Sequence, residues 1–383
     1  MVGSANDFAI NSAINVASDV DKIGNPTLPD PYSSLAELGL AGAAPSAEQA
    51  RWIVEGEDVS LLPLLDAAFK IREKHFGREV MIHVLNNVQN GLCPEDCGYC
   101  SQNKDSTSAI RKYAMKSDEE IFDEADKAAR AGASRYCMVL SGRGPTIERT
   151  KKLAGLIREI KRRHSVEVCL SAGLLGDEHA KILAEAGLDR FNHNLNTSEA
   201  RYGEICTTHT YADRVATLEA ARNHGIGTCS GLIVGMGEAT QDLVEVAFKL
   251  RELEVPSIPV NFLIPIDGNR VLKDGSLNPT HCLRVLCLMR FVNPTAEIRI
   301  AGGREGNLRA MQPLGLYPAN SLFVEGYLTT RGDAARETYQ MIADAGFTVS
   351  GNSDYDGPLP DTSEFRIPGP LGDLLKPEIS ARS

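Results

Sequence analysis

The chain has 383 residues, 43% of them apolar, with a formal net charge of −11 and a pI near 5.3. No tract of clustered Lys and Arg occurs, which argues against nucleic acid or an anionic membrane surface as the main partner. No apolar run reaches the ~20 residues needed to span a bilayer.

The opening MVGSANDFAINSAINVASDVDK lacks the charged start and apolar core of a signal peptide, and it is not the Arg-rich, acid-poor segment of a transit peptide. A soluble cytoplasmic protein is the expectation. Nine cysteines, an odd number scattered along a long chain, point to a reducing compartment and to metal binding or catalysis rather than disulfides.

Residues 1–46 are rich in Ala, Ser, Asn, Asp, Gly and Pro without a sustained period, and read as a flexible extension. Residues 47–78 carry apolar residues at helical spacing, with Gly77 as a C-terminal cap, and are expected to pack on the barrel. From 79 to 347, short β-branched runs alternate with amphipathic segments. The expected strands are 79–88, 135–142, 166–173, 190–196, 227–235, 257–265, 297–303 and 321–328. A helix is expected from the capping box of Ser117 and Glu120, another after Asp177, and a third from Tyr211 to His224. Eight strand–helix units in series suggest a closed (β/α)8 barrel of the TIM type behind an N-terminal helical extension. An open doubly wound sheet fits the same string. Residues 348–383, rich in Pro, Gly and Asp, read as a C-terminal tail.

The segment after the first strand, NVQNGLCPEDCGYCSQN, carries C-x3-C-x2-C at Cys93, Cys97 and Cys100. Four thiolates saturate a four-iron cube, so three close cysteines leave one iron open to a substrate or cofactor. The competing reading is a zinc knuckle completed from elsewhere. Zinc motifs more often pair two C-x2-C units, and no second pair occurs here. The loop's place at a strand's C-terminal end, where barrel active sites are built, favours the cluster.

Cys137, Cys169 and Cys229 fall inside three different expected strands. One such cysteine is ordinarily an inert small hydrophobe. Three of them, with Arg299 in the apolar run EIRIAGG, suggest a second metal cluster deep in the barrel, because inward positions converge on its axis. Cys206, Cys282 and Cys287 read as packing residues. Asn192, Asn194 and Asn196 share a strand face, with His193 opposite, and need polar partners: a ligand or buried water. Gly235 and Gly237 offer close backbone approach, while Asn261, Thr329 and Thr330 stand near strand ends.

From about 79 to 347 the chain resembles the biotin synthase family, through GLCPEDCGYCSQ, RYCMVLSGRGP, LDRFNHNLNTS, TCSGLIVGMGE, IPVNFLIPIDG, IRIAGGRE and NSLFVEGYLTT. The resemblance implies a radical S-adenosylmethionine barrel with two clusters. Cys93, Cys97 and Cys100 would hold a [4Fe–4S] cluster with S-adenosylmethionine on its open iron. Cys137, Cys169, Cys229 and Arg299 would hold a sulfur-donating [2Fe–2S] cluster. It further implies cofactor contacts at Tyr99, Asn194 and Asn196, and along G-x-I-x-G-x-x-E at Gly231, Ile233, Gly235 and Glu238. Dethiobiotin would meet Asn261, Thr329 and Thr330. Many members have Asp where Asn196 stands. A homodimer and a reduced flavodoxin-type electron donor are further implications. Two alternatives stand beside this reading: a related barrel enzyme of the hydrogenase maturase or methylornithine synthase type, and a non-enzymatic zinc-binding interaction module.

Overall fold

A computed structural model describes residues 30–271, 275, 277–324, 326–328, 330–331 and 335–350. Its centre is a barrel of eight staves: β1 (Glu79–Gln89), β2 (Arg135–Leu140), β3 (Glu167–Ser171), β4 (Arg190–Asn192), an interrupted fifth stave of β5 (Gly227–Cys229) and β6 (Leu232–Val234), then β7 (Ser257–Phe262), β8 (Glu297–Ile300) and β9 (Ser321–Phe323). All pairings around the barrel are parallel. Strand β9 returns to β1 through Met81–Ser321, Ile82–Leu322 and His83–Phe323. That pairing closes the sheet and removes the open doubly wound alternative. Two short strands, β10 (Gly326–Tyr327) and β11 (Thr330–Arg331), form a separate antiparallel pair.

Helices precede the barrel and alternate with its strands. They are α1 (Pro31–Leu40), α2 (Ala47–Glu55) and α3 (Leu61–Phe76) ahead of the barrel, then α4 (Asp118–Arg130), α5 (Ile147–Arg163), α6 (Asp177–Glu185), α7 (Glu199–Ile205), α8 (Tyr211–Asn223), α9 (Thr240–Glu252), α10 (Pro279–Val292), α11 (Arg304–Leu308) and α12 (Ala335–Asp344). Ser117 and Glu120 form the expected capping box, and Thr210 with Asp213 forms another before α8.

Two expected boundaries are corrected. Helix α1 lies inside the stretch expected to be a flexible extension: Asp30 caps it, Pro31 fits its first turn, and Leu35 and Ala36 are buried. A short strand, β12 (Thr348–Ser350), pairs with the start of β1 in the stretch expected to be tail.

At the lower end of the barrel, where the strands begin, two buried arginines tie the connecting segments together. Arg72 of α3 donates to the carbonyls of Ala319 (3.2 Å) and Glu79 (2.7 Å). Arg290 of α10 donates to Pro318, Pro294 and Ala296 carbonyls and to Asn320 Oδ1, all at 2.8–2.9 Å. Saturated hydrogen bonding is what makes a buried guanidinium tolerable.

Candidate active site

A cavity of about 290 Å³ opens at the upper end and runs down the barrel axis. Cys93, Cys97 and Cys100 line it on the loop after β1, and Cys137, Cys169 and Arg299 line it on the strands. The structure therefore brings five of the six expected thiols to one chamber, while Cys229 is fully buried and does not line it.

In the loop, backbone N–H groups of Glu95 and Gly142 face the Cys93 sulfur, and those of Gln102 and Asn103 face Cys100. Burial pushes the Cys100 thiol up to about 11, and these donors oppose it. N–H groups beside sulfur favour its thiolate form and tune a metal bound to it. The loop is held by its own side chains: Asn103 Nδ2 donates to the carbonyls of Cys97 (2.8 Å) and Cys100 (2.7 Å).

On the strands, Cys137 and Cys169 are register partners across β2 and β3, while Cys229 ends β5 beside Asn192 of β4. Cys169 stands between the other two, on the strand that pairs with β2 on one side and β4 on the other. Arg299 Nη1 points at Cys229 Sγ from 3.6 Å. Its other nitrogens are engaged, Nη2 with Ser257 Oγ (2.6 Å) and Glu297 Oε1 (2.8 Å), and Nε with Glu297 Oε1 (3.2 Å). Glu297 also meets Arg135 Nη1 at 2.9 Å, takes the Ser321 hydroxyl at 2.7 Å and lies 3.2 Å from His83 Nε2. Burial pushes the Glu297 carboxyl up, but Arg299 and Arg135 outweigh it and hold the group well below the usual carboxylate range. Arg299 forms the floor of the cavity, and the rest of this polar layer backs it without lining it.

Between mouth and floor, Tyr99, Asn194, Asn196, Ile233 and Asn261 line the wall. Asn196 adopts a left-handed φ of 71° and donates to Tyr99 Oη at 2.6 Å. The Asn194 side chain accepts from Gly231 N (3.1 Å) at the break between β5 and β6. A Cβ at Gly231 would come within 1.8 Å of Pro259 O, so only glycine fits. Glu238 turns back to take the N–H groups of Gly235 (2.6 Å) and Met236 (2.7 Å). Gly231, Gly235 and Glu238 thus shape the wall from behind rather than line it.

Asn261 ties β7 to its neighbours, donating to Leu232 O (3.1 Å) and accepting from Gly302 N (3.0 Å). Thr329 lies outside the described residues, as does the side chain of Thr330, whose backbone is in β11. His193, expected to face away from the asparagines, lines the cavity with them, because β4 ends at Asn192 and the alternation stops there.

Two groups escape sequence reasoning. One is the floor layer of His83, Arg135 and Glu297, which no spacing announces. The other joins the cysteine loop to the β4–α8 connection. His209 Nδ1 meets Glu95 Oε2 at 2.5 Å, Arg214 Nη2 meets His209 Nε2 at 2.9 Å, and Cys206 Sγ lies 3.7 Å from Cys97 Sγ. Cys206, expected to be packing, is in fact a polar neighbour of the loop. Cys282 and Cys287 are fully buried on α10 among apolar residues, as expected.

Residues 89–250 match the model of the Radical SAM superfamily, and 259–348 match that of the Biotin and Thiamin Synthesis associated domain. The fold agrees with two solved structures, a methylornithine synthase (TM-score 0.71, 17% identity, 86% of this chain and 98% of that one) and the FeFe-hydrogenase maturase of Carboxydothermus hydrogenoformans (0.70, 18%, 84% and 80%). A barrel of this kind with the C-x3-C-x2-C loop at its mouth defines a radical S-adenosylmethionine enzyme. Biotin synthases from Acaryochloris marina and Magnetococcus marinus are 57% and 56% identical to this chain, each over 82% of its length and over 91% and 98% of their own. The chain belongs to the biotin synthase family.

Proposed function

We infer that this chain converts dethiobiotin to biotin by radical insertion of sulfur. The observation that carries the reading is the shared cavity, with three thiols at its mouth and a thiol–guanidinium group at its floor.

The donor chemistry fits the groups that the reaction needs. In this reading Cys93, Cys97 and Cys100 hold a [4Fe–4S] cluster, and Cys137, Cys169, Cys229 and Arg299 hold a [2Fe–2S] cluster. When bound, the two clusters and S-adenosylmethionine supply the 5′-deoxyadenosyl radical, the electron that generates it and the inserted sulfur. The chain's own work is placement and exclusion of water. Tyr99, Asn194, Asn196 and Ile233 hold the S-adenosylmethionine in the middle of the cavity, on a wall shaped by Gly231, Gly235 and Glu238. Asn261, with Thr329 and Thr330, holds dethiobiotin. The closed barrel keeps solvent from the space between the two thiol sets. The salt-bridged floor keeps Arg299 turned toward Cys229.

A flavodoxin-type electron donor, a homodimer and a cytoplasmic setting complete the reading. Among the described residues no helix is long and apolar enough to cross a membrane.

The test is anaerobic reconstitution with iron and sulfide, followed by dethiobiotin, S-adenosylmethionine and a strong reductant. Biotin and 5′-deoxyadenosine are expected together by mass spectrometry. Deoxyadenosine alone would overturn the substrate or the second cluster. Zinc in place of iron and acid-labile sulfide would overturn the whole reading.

A further inference from the structure

Cys206 lies outside the C-x3-C-x2-C motif, yet its sulfur sits 3.7 Å from that of Cys97, with His209 Nδ1 on its other side at 3.3 Å. Both are buried, Cys206 at 2% and Cys97 at 9% exposure, and only Cys97 faces the cavity. The backbone holds the two segments together on both sides of the pair. Gly98 N donates to Ile205 O at 2.8 Å. Thr207 N and Thr208 N donate to Asp96 Oδ1 at 2.9 and 3.2 Å, and Asp96 N donates to Thr208 Oγ1 at 3.2 Å. Residues 96–98 and 205–208 are therefore laced, and the two thiols cannot drift apart without breaking the lacing.

A disulfide needs a sulfur separation of about 2.0 Å. The remaining approach is within reach of side-chain rotation, because the two segments are already adjacent. We propose that Cys97 and Cys206 are a thiol–disulfide exchange site, a covalent modification site that takes a small-molecule disulfide when the loop carries no cluster. It rests on the proposed role of Cys97 only for its consequence, the withdrawal of one cluster ligand.

The exchange balances without an outside electron carrier. The Cys97 sulfur, reached through the cavity, attacks one sulfur of a disulfide such as oxidised glutathione, whose S–S bond breaks and releases one small thiol. Cys206 then attacks the Cys97 sulfur of the mixed disulfide and releases the second thiol. Two protein thiols are oxidised, one small disulfide is reduced, and the two protons pass to the small thiols. Iron on Cys97 blocks the first attack. The bond forms only on cluster-free protein, and it bars reloading until a thiol reductant opens it.

The experiment uses the full chain, stripped of iron anaerobically and treated with oxidised glutathione, then alkylated and peptide-mapped without reduction. The expected result is a Cys97–Cys206 cross-linked peptide, loss of two thiols per chain and no retained glutathione. Cys206→Ser is expected to retain one glutathione on Cys97 instead. The wild-type map alone decides the matter if the variant does not fold. Wild-type protein that keeps glutathione on Cys97 while Cys206 remains alkylatable overturns the proposal, as does a link from Cys97 to Cys93 or Cys100. Cluster-loaded protein is expected to resist the link. If it cross-links as fast, with its iron absorbance intact, the exchange pair stands and Cys97 is not a cluster ligand, so the two readings fail separately.

Discussion

The two thiol sets are built on opposite principles. Cys93, Cys97 and Cys100 lie within eight positions of one another on one loop, and the geometry is local: side chains such as Asn103 hold the turn from within. Cys137, Cys169 and Cys229 come from three staves far apart in sequence, and their geometry is that of the barrel itself. A loop site can form wherever its motif occurs. A strand site exists only if the whole sheet closes in the right register, since a slip of one residue turns each side chain to the other face. The mouth should therefore respond to local changes, and the floor to changes in packing.

The largest expected effect tests that division directly. Cys100→Ala should lower both deoxyadenosine and biotin formation by at least about a hundredfold, taking ligand loss as no milder than loss of an outer partner. Cys169→Ala should remove biotin while leaving deoxyadenosine in place. Quantifying both products in a single turnover decides it, and loss of both from Cys169→Ala would erase the division.

Next in size is the floor's charge. Glu297→Gln leaves Arg135 and Arg299 buried without their shared carboxylate, and should cost about 3–5 kcal/mol in urea unfolding. Glu167, which also pairs with Arg135 but whose side chain is 43% exposed, should cost under about 1 kcal/mol as Gln. Equal losses would mean that the layer is not organised around Glu297.

Gly231→Ala, which forces a methyl group against Pro259 O behind the wall assigned to S-adenosylmethionine, should destabilise by about 1–3 kcal/mol in urea unfolding and lower deoxyadenosine and biotin together; loss of biotin alone would detach Gly231 from that wall.

The most gradual effect is on pH. Burial first, then the charges of Arg299 for His83 and Arg214 for His193, pushes both histidines well below their ordinary range, so they stay neutral in the fold. The unfolded chain takes up their protons below about pH 6.5. Stability is therefore fully present above that pH and falls as pH drops, by up to about 1.4 kcal/mol per unit for each histidine. His193→Gln should flatten one part of the melting-temperature profile between about pH 6.5 and 5, and an unchanged slope would show that His193 is not held neutral.

Much of this layout is legible in the sequence, and for a physical reason. Strands and caps follow from period and local hydrogen bonding, so Ser117, Asp177 and Tyr211 mark real helix starts. The loop cysteines announce themselves by spacing. The strand cysteines can be suspected only because three of them recur beside an arginine in an apolar run. Barrel closure is not legible, since it rests on β1 meeting β9 across more than two hundred residues. Glu297 and Arg135 are not legible either, because each looks like an ordinary charge at a strand start until the barrel turns both inward. His193 departs from expectation because strand alternation holds only as far as Asn192, where β4 ends. Helix α1 is hidden because a ten-residue helix of mostly Ser, Ala, Gly and Leu has too little pattern to show.

The placing of one thiol set above the other gives the chamber the logic of a stack. With the buried Arg299 layer at the base of the cavity and the cysteine loop at its top, the cavity opens at the upper end. Whatever comes to lie on the floor must be laid there before the mouth is filled. Whatever sits at the mouth must leave first, and the order of traffic is fixed by architecture before any affinity is considered.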